Sequence, residues 1–425
     1  MPTLETLPAE LRIQVLEEIP DIPSLHNLVQ ASFIYRDSYQ RTRKTVLHQL
    51  ATRVHGLVGV TEPLAAIGSE GLHAEVDAHR DDIIAVLDRR RCHSDDRVLL
   101  SEPQSVQLLQ LYKKLEPVLQ ACCHRAARPA HVDAQTWQQD PTAAVSEAEK
   151  ARILRALCRL QTYCNIFGAR EWVEPEPNAQ QRFLSPNLLK RRSTTWHRHF
   201  TIHEMWSLFF RTMPPWEVEE FGSVWTFMRE TYVDLFADIA KDFPRDSAEW
   251  RALRPTTMPL DPRDLEENPE DEYSQYDYDD YCNHLVSLGP SFLAQVLQQP
   301  TEYARRRLLA SNAVTGQSSF MDLVGVVTDP QPLLYPADRY EMPGITAILP
   351  TLPTLEQPAR GWKHHWYGHD TIDRVMFPSR QEATNGLSDP VGQYTLGFYT
   401  GWTWGYALWD SVHAVDRSPP SLPLQ

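Results

Sequence analysis

Apolar positions recur at three- and four-residue intervals along much of the chain, the period of helices that bury one face. The clearest case is "LPAELRIQVLEEIPDIPSL", residues 7–25, where Leu11, Val15 and Ile19 lie four apart with Leu16 beside them. Glu10, Arg12, Gln14, Glu17 and Glu18 fall elsewhere, so the spacing predicts an amphipathic helix of about three turns. Pro8 and Pro23 each stand at a plausible first helical position. A short second helix would carry Leu25, Leu28 and Val29, and Ser32 is placed to cap a third with Phe33, Tyr35 and Tyr39. Three short helices cannot bury all these apolar groups among themselves, so something else must cover them.

The same period predicts helices further on. In "SVQLLQLYKKLEPVLQACCHRAA" it holds from Val106 to Cys122, with a kink or break expected at Pro117. In "SEAEKARILRALCRLQTYCNIFG", Ser146 and Glu149 resemble a capping box and Gly168 a stop. A block over 177–240 includes a helix started by Pro214 and Pro215, with Phe221, Val224, Trp225, Met228, Tyr232, Leu235 and Phe236 on one side. Helical periodicity returns over 282–311, whereas 325–361 holds seven prolines and reads as a long irregular loop. No fixed-period repeat occurs, which leaves solenoids and propellers unsupported. The expected fold is mainly α: a small amino-terminal module at 1–50 and a helical body at 51–254. An acidic linker or insertion at 255–281, a carboxy-terminal helical part at 282–411 and a disordered tail at 412–425 follow.

Composition changes this picture in three places. The net charge is −15, but residues 261–280 alone hold ten acids against Arg263, so the rest is only mildly acidic. Together with just two short basic knots, Lys190–Arg192 and Arg305–Arg307, this argues against a nucleic-acid face. Val391–Trp409 carries no charge over nineteen residues. Its Trp, Tyr and Gln content, and Gly397, Gly401 and Gly405 at four-residue spacing, favour a buried, Gly-faced helix over a membrane span, with a strand as the alternative that the same aromatics would suit. Six cysteines without a C-x-x-C, and no charged-then-apolar leader, lead us to expect a reduced, cytoplasmic or nuclear protein.

Catalytic and nucleotide-binding signatures are absent from the sequence. Two pairs of histidines at four-residue spacing, His199 with His203 and His365 with His369, could each form a two-ligand metal arm on a helix, with Glu204 and Asp370 adjacent. Neither pair has a complete ligand set, and structural roles are the expected reading, with no cofactor. Cys122 and Cys123, adjacent in an apolar helix, are expected to be buried and inert.

The amino terminus resembles a family. Leu7-Pro8, Glu10-Leu11, the row Val15, Leu16 and Ile19, Ser24-Leu25, Leu28 and the "ASFIYRDSY" close are similar to an F-box, in the divergent form common in filamentous fungi. The likeness covers about 45 residues. It lacks the Trp that many F-boxes carry in the third helix, and Phe33 stands where the fungal form often has Pro. The resemblance implies a module that docks on the adaptor subunit of a cullin-based ubiquitin ligase while the body selects an unknown substrate protein. It implies adaptor contacts for Leu7, Pro8, Leu11, Ile19, Leu25 and Leu28. The alternatives are a metal-dependent enzyme built on the two histidine pairs and a helical scaffold with a vestigial F-box.

Overall fold

A computed structural model describes residues 4–56, 58–91, 100–125, 145–171, 200–242, 248–253, 274–313, 348–353, 356–366 and 405–410. Helices take 77% of these residues and none lies in a strand, which bears out the mainly α expectation.

The first three helices are α1 (Ala9–Glu17), α2 (Ile22–Ala31) and α3 (Phe33–His55). Pro8 precedes α1 at its cap, one position earlier than predicted, and α1 stops at Glu17, since Pro20 cannot continue a helix. The predicted row is therefore cut short. Leu16 is the buried residue of α1, Ile19 is buried in the chain beyond it, and Leu11 is left on the surface. Asp21 caps α2 by accepting from the Ser24 amide at 2.7 Å, and Ser32 caps α3 as predicted. The third helix is not short: its 23 residues run through the boundary drawn at residue 50.

Then follow α4 (Thr61–Gly68), α5 (Arg80–Arg91), α6 (Glu102–Arg125) and α7 (Glu147–Phe167). Of the kink or break expected at Pro117, the break does not occur: α6 continues through it. Leu115, Val118 and Leu119 around it are buried, so packing on both sides of the proline offsets the lost backbone bond. The capping box of α7 forms: Glu149 N–H donates to Ser146 Oγ at 3.2 Å and Ser146 N–H to Glu149 Oε2 at 2.9 Å. Gly168 ends the helix by close approach, since a Cβ there would lie 2.1 Å from the Ser287 carbonyl oxygen.

The remaining described helices are α8 (Ile202–Met205), which runs into a π-turn at Trp206–Phe210, α9 (Pro215–Asp242) and α10 (Ala248–Leu253). After them come α11 (Ser274–Ser287), α12 (Pro290–Leu297), α13 (Glu302–Asn312) and α14 (Arg360–Trp366). α9 buries Phe221, Val224, Trp225, Met228, Tyr232 and Phe236 as its periodicity predicted. Two expectations are altered at the one end that the described residues cover. The end of the acidic stretch, read as a linker to residue 281, is the start of α11, because Tyr281, Cys282, Leu285 and Val286 anchor that helix in the core. The end of the charge-free stretch is a turn rather than a helix: Gly405 has φ +67°, and Tyr406, Ala407 and Leu408 are buried. Residues 391–404 and the tail at 412–425 lie outside the described residues, as do 255–273 and 325–347.

The described residues form two apolar cores. The larger surrounds α7, which packs against α4, α6, α9 and α12. The smaller joins Leu16, Ile19, Leu25 and Tyr35 to Val46, Leu47, Leu50 and Ala51 of α3, and these to Leu100, Leu108 and Leu109. α6 belongs to both, offering Leu108 and Leu109 to one side and Leu111, Leu115 and Val118 to the other. Part of what covers the amino-terminal helices is therefore the chain's own body.

Candidate functional site

The start of the chain is tied to the start of α3. Tyr35 Oη donates to the Leu4 carbonyl at 3.2 Å, and Ser32 Oγ to Glu5 Oε1 at 2.7 Å. The carboxy-terminal side of α1 is held further along α3, where Arg53 donates to the Ile19 carbonyl at 2.6 Å and pairs with Glu18 at 3.0 Å. At the far end, His55 Nε2 lies 3.1 Å from the Leu108 carbonyl of α6. A carbonyl only accepts, so the ring carries its proton on Nε2, and Nδ1 finds no partner among the described residues. Burial, partly opposed by that bond, lowers the His55 pKa.

This leaves an apolar end. Leu4 is 58% exposed, Leu11 44% and Phe33 79%, three of the five exposed large hydrophobics among the described residues (the others are Val233 and Tyr303), and Pro8 is exposed near Leu4 and Leu11 in sequence. All four lie at the amino-terminal starts of α1 and α3, the region joined by the Tyr35 and Ser32 bonds. At 1.5 Å per residue, Phe33 stands about 33 Å along α3 from His55. The six residues to which the resemblance gives adaptor contacts thus divide. Pro8 and Leu11 are exposed and Leu7 and Leu28 half-buried, whereas Ile19 and Leu25 are enclosed in the smaller core. Phe33, the most exposed of the group, was not among them. Its position at the first residue of a capped helix is the signal that could have found it.

A second concentration of chemistry was not read from the sequence. Arg159 of α7, 1% exposed, meets Glu62 of α4 at 2.8 Å and Glu217 and Glu220 of α9 at 2.6 and 3.1 Å. Arg90 of α5 takes the other oxygen of Glu62 at 2.8 Å and lies over the Phe209 ring, while Arg155 binds Glu220 at 2.7 Å. Burial raises the Glu62 pKa, but Arg90 and Arg159 outweigh it and hold the carboxyl at about 2. The same carboxylates raise Arg159 against the opposing effect of burial. Both oxygens of Glu62 and of Glu220, and Oε2 of Glu217, are thereby held by arginines, and the cluster clamps α4, α5, α7 and α9 together.

Among the described residues, no group of three or more His, Cys, Asp or Glu is placed to hold a metal. Of the histidine pairs, His199 and His369 lie outside the described residues, and only the backbone of His203 and His365 is described. Their neighbour Glu204 is engaged elsewhere: it accepts from the Thr201 amide at 2.7 Å and pairs with Arg80, contacts that lower its pKa. Cys122 and Cys123 are buried, and burial pushes the Cys122 thiol well up, the state of an unreactive cysteine. No described helix is long and apolar enough to cross a membrane.

Comparison with known proteins gives no match to a protein-family model, to a curated protein or to a solved structure.

Proposed function

We propose that the chain is a non-catalytic adaptor, the F-box-like substrate-recognition subunit of a cullin-based ubiquitin ligase. The observation that carries this reading is the exposed apolar end formed by Leu4, Pro8, Leu11 and Phe33. It coincides with the Leu-Pro start that resembles an F-box and lies at the opposite end of α3 from the body. Function would follow from geometry alone. A module gripped at one end by α6 and docked at the other on the ligase adaptor holds the body, and whatever the body binds, close to a partner's catalytic site. That raises the effective concentration of the target without chemistry in this chain.

The test is calorimetric titration of the full chain with a purified fungal ligase adaptor. Saturable binding that falls about tenfold or more in Leu11→Asp, and in Leu7→Ala with Pro8→Ala, supports the proposal. No binding by the intact chain overturns it and leaves a second reading, a helical scaffold whose F-box-like helices bind nothing. The burial of Ile19 and Leu25 in the chain's own core favours that reading.

A further inference from the structure

On the flank of the body, α4, α6, α7 and α12 enclose a cleft of about 270 Å³, just below the size of small-molecule sites. Its chemistry is dominated by carboxamides. Gln161 and Asn165 of α7 form the part held most firmly: Gln161 Nε2 donates to Asn165 Oδ1 at 2.7 Å, and Asn165 Nδ2 donates to the Ala66 carbonyl and Ser69 Oγ. Gln161 Oε1 accepts from the Ser291 amide at 2.9 Å, at the start of α12. Gln161 is only 7% exposed, yet these bonds use one of its two N–H donors and one of its two acceptor sites. Above it, Gln107, Gln110 and Gln298 line the opening with exposed side chains that make no hydrogen bond among the described residues, while the lining Gln295 bonds Glu171. The two charged lining residues, Glu70 and Lys114, face each other at 3.5 Å, so the cleft presents no net charge.

We infer that this cleft binds a short, uncharged peptide segment through its carboxamides, meaning its main-chain amides and an Asn or Gln side chain. A carboxamide donates and accepts at once, so a wall of them is complementary to another amide. A carboxylate or phosphate would find half of each amide repulsive and, among the described lining residues, only Lys114, already paired with Glu70, to offset its desolvation. That the peptide belongs to a protein presented to a ligase rests on the adaptor reading above. The peptide site itself does not, since it uses none of α1–α3.

The experiment titrates the full chain with acetyl-Gly-Gln-Gly-amide, following side-chain amide resonances by NMR. Acetyl-Gly-Glu-Gly-amide and glucose serve as comparisons. The expected result is saturable binding of the Gln peptide with Kd on the order of 1 mM, and binding of the Glu peptide about tenfold weaker. Gln110→Ala with Gln298→Ala changes only exposed rim residues and should weaken the Gln peptide about fivefold or more, with the melting temperature unchanged. Leu11→Asp should leave it unaffected, which separates this site from adaptor docking. No saturation by the Gln peptide, equal binding of the Glu peptide, preference for glucose, or indifference to the rim variant would each overturn the assignment.

Discussion

Arg159 shows what one residue can decide. It is the charge toward which Glu62, Glu217 and Glu220 converge. Replacing it with Met keeps much of the volume but strands buried carboxylates, at an expected cost of about 3–5 kcal/mol, read as a lowered midpoint in urea unfolding. Glu62 adds a pH dependence of known sign. Its folded pKa of about 2 lies below the ordinary 4.5, so its stabilisation is complete above about pH 4.5 and is lost as the pH falls toward 2. In Glu62→Gln, stability should accordingly be lower at neutral pH and flatter across that acid range. Leu11→Asp, on an exposed position, should change stability by less than about 0.5 kcal/mol, so that any loss of adaptor binding reports contact rather than unfolding.

At the scale of elements, the joint between the amino-terminal helices and the body is α3 against α6, and His55 is its titratable part. Burial lowers its pKa, so the neutral ring is favoured in the fold, and its contribution is present above the ordinary value near 6.5 and lost as the pH falls below it. Protonated Nδ1 would be a buried donor with no described partner beside the Tyr112 ring edge. Hydrogen exchange should therefore show α3 losing protection at a higher pH than α7. Gly168→Ala should loosen α7 from α11, since the added methyl meets the Ser287 carbonyl. A fall of several degrees in melting temperature is the expected readout. Helix existence was legible at this scale because Ser32, Ser146 with Glu149, and the α9 row act through local spacing. The length of α3 and the continuity of α6 through Pro117 were not, because each depends on packing partners far along the chain.

For the whole molecule, the amino-terminal module is not a detachable bead. Leu100, Leu108 and Leu109 are buried in the core it builds with α3, and a chain beginning at Val58 would expose them. Such a truncation should bind a hydrophobic dye and melt at a lower temperature than the full chain. The candidate sites differ in how far the sequence revealed them. Pro8 and Leu11 were singled out from the Leu-Pro start and remain on the surface. Phe33 and the amide-lined cleft emerged only from the fold, the cleft because its glutamines come from helices separated by up to some two hundred residues of sequence.

Sequence by itself determined the helical class and many of the caps and inward faces, since these follow from period, side-chain hydrogen bonding and proline chemistry within a few residues. Tertiary structure decided which apolar residues are spent on the chain's own interior. Leu11 and Ile19 belong to one four-residue row, yet one is exposed and the other enclosed: α1 ends at Glu17, and Ile19 lies in the chain beyond it, in the core with Leu16 and with its carbonyl held by Arg53 of α3. It also decided that arginines of an otherwise buried helix could be accommodated, because glutamates from α4 and α9 meet them there, an arrangement no local pattern records.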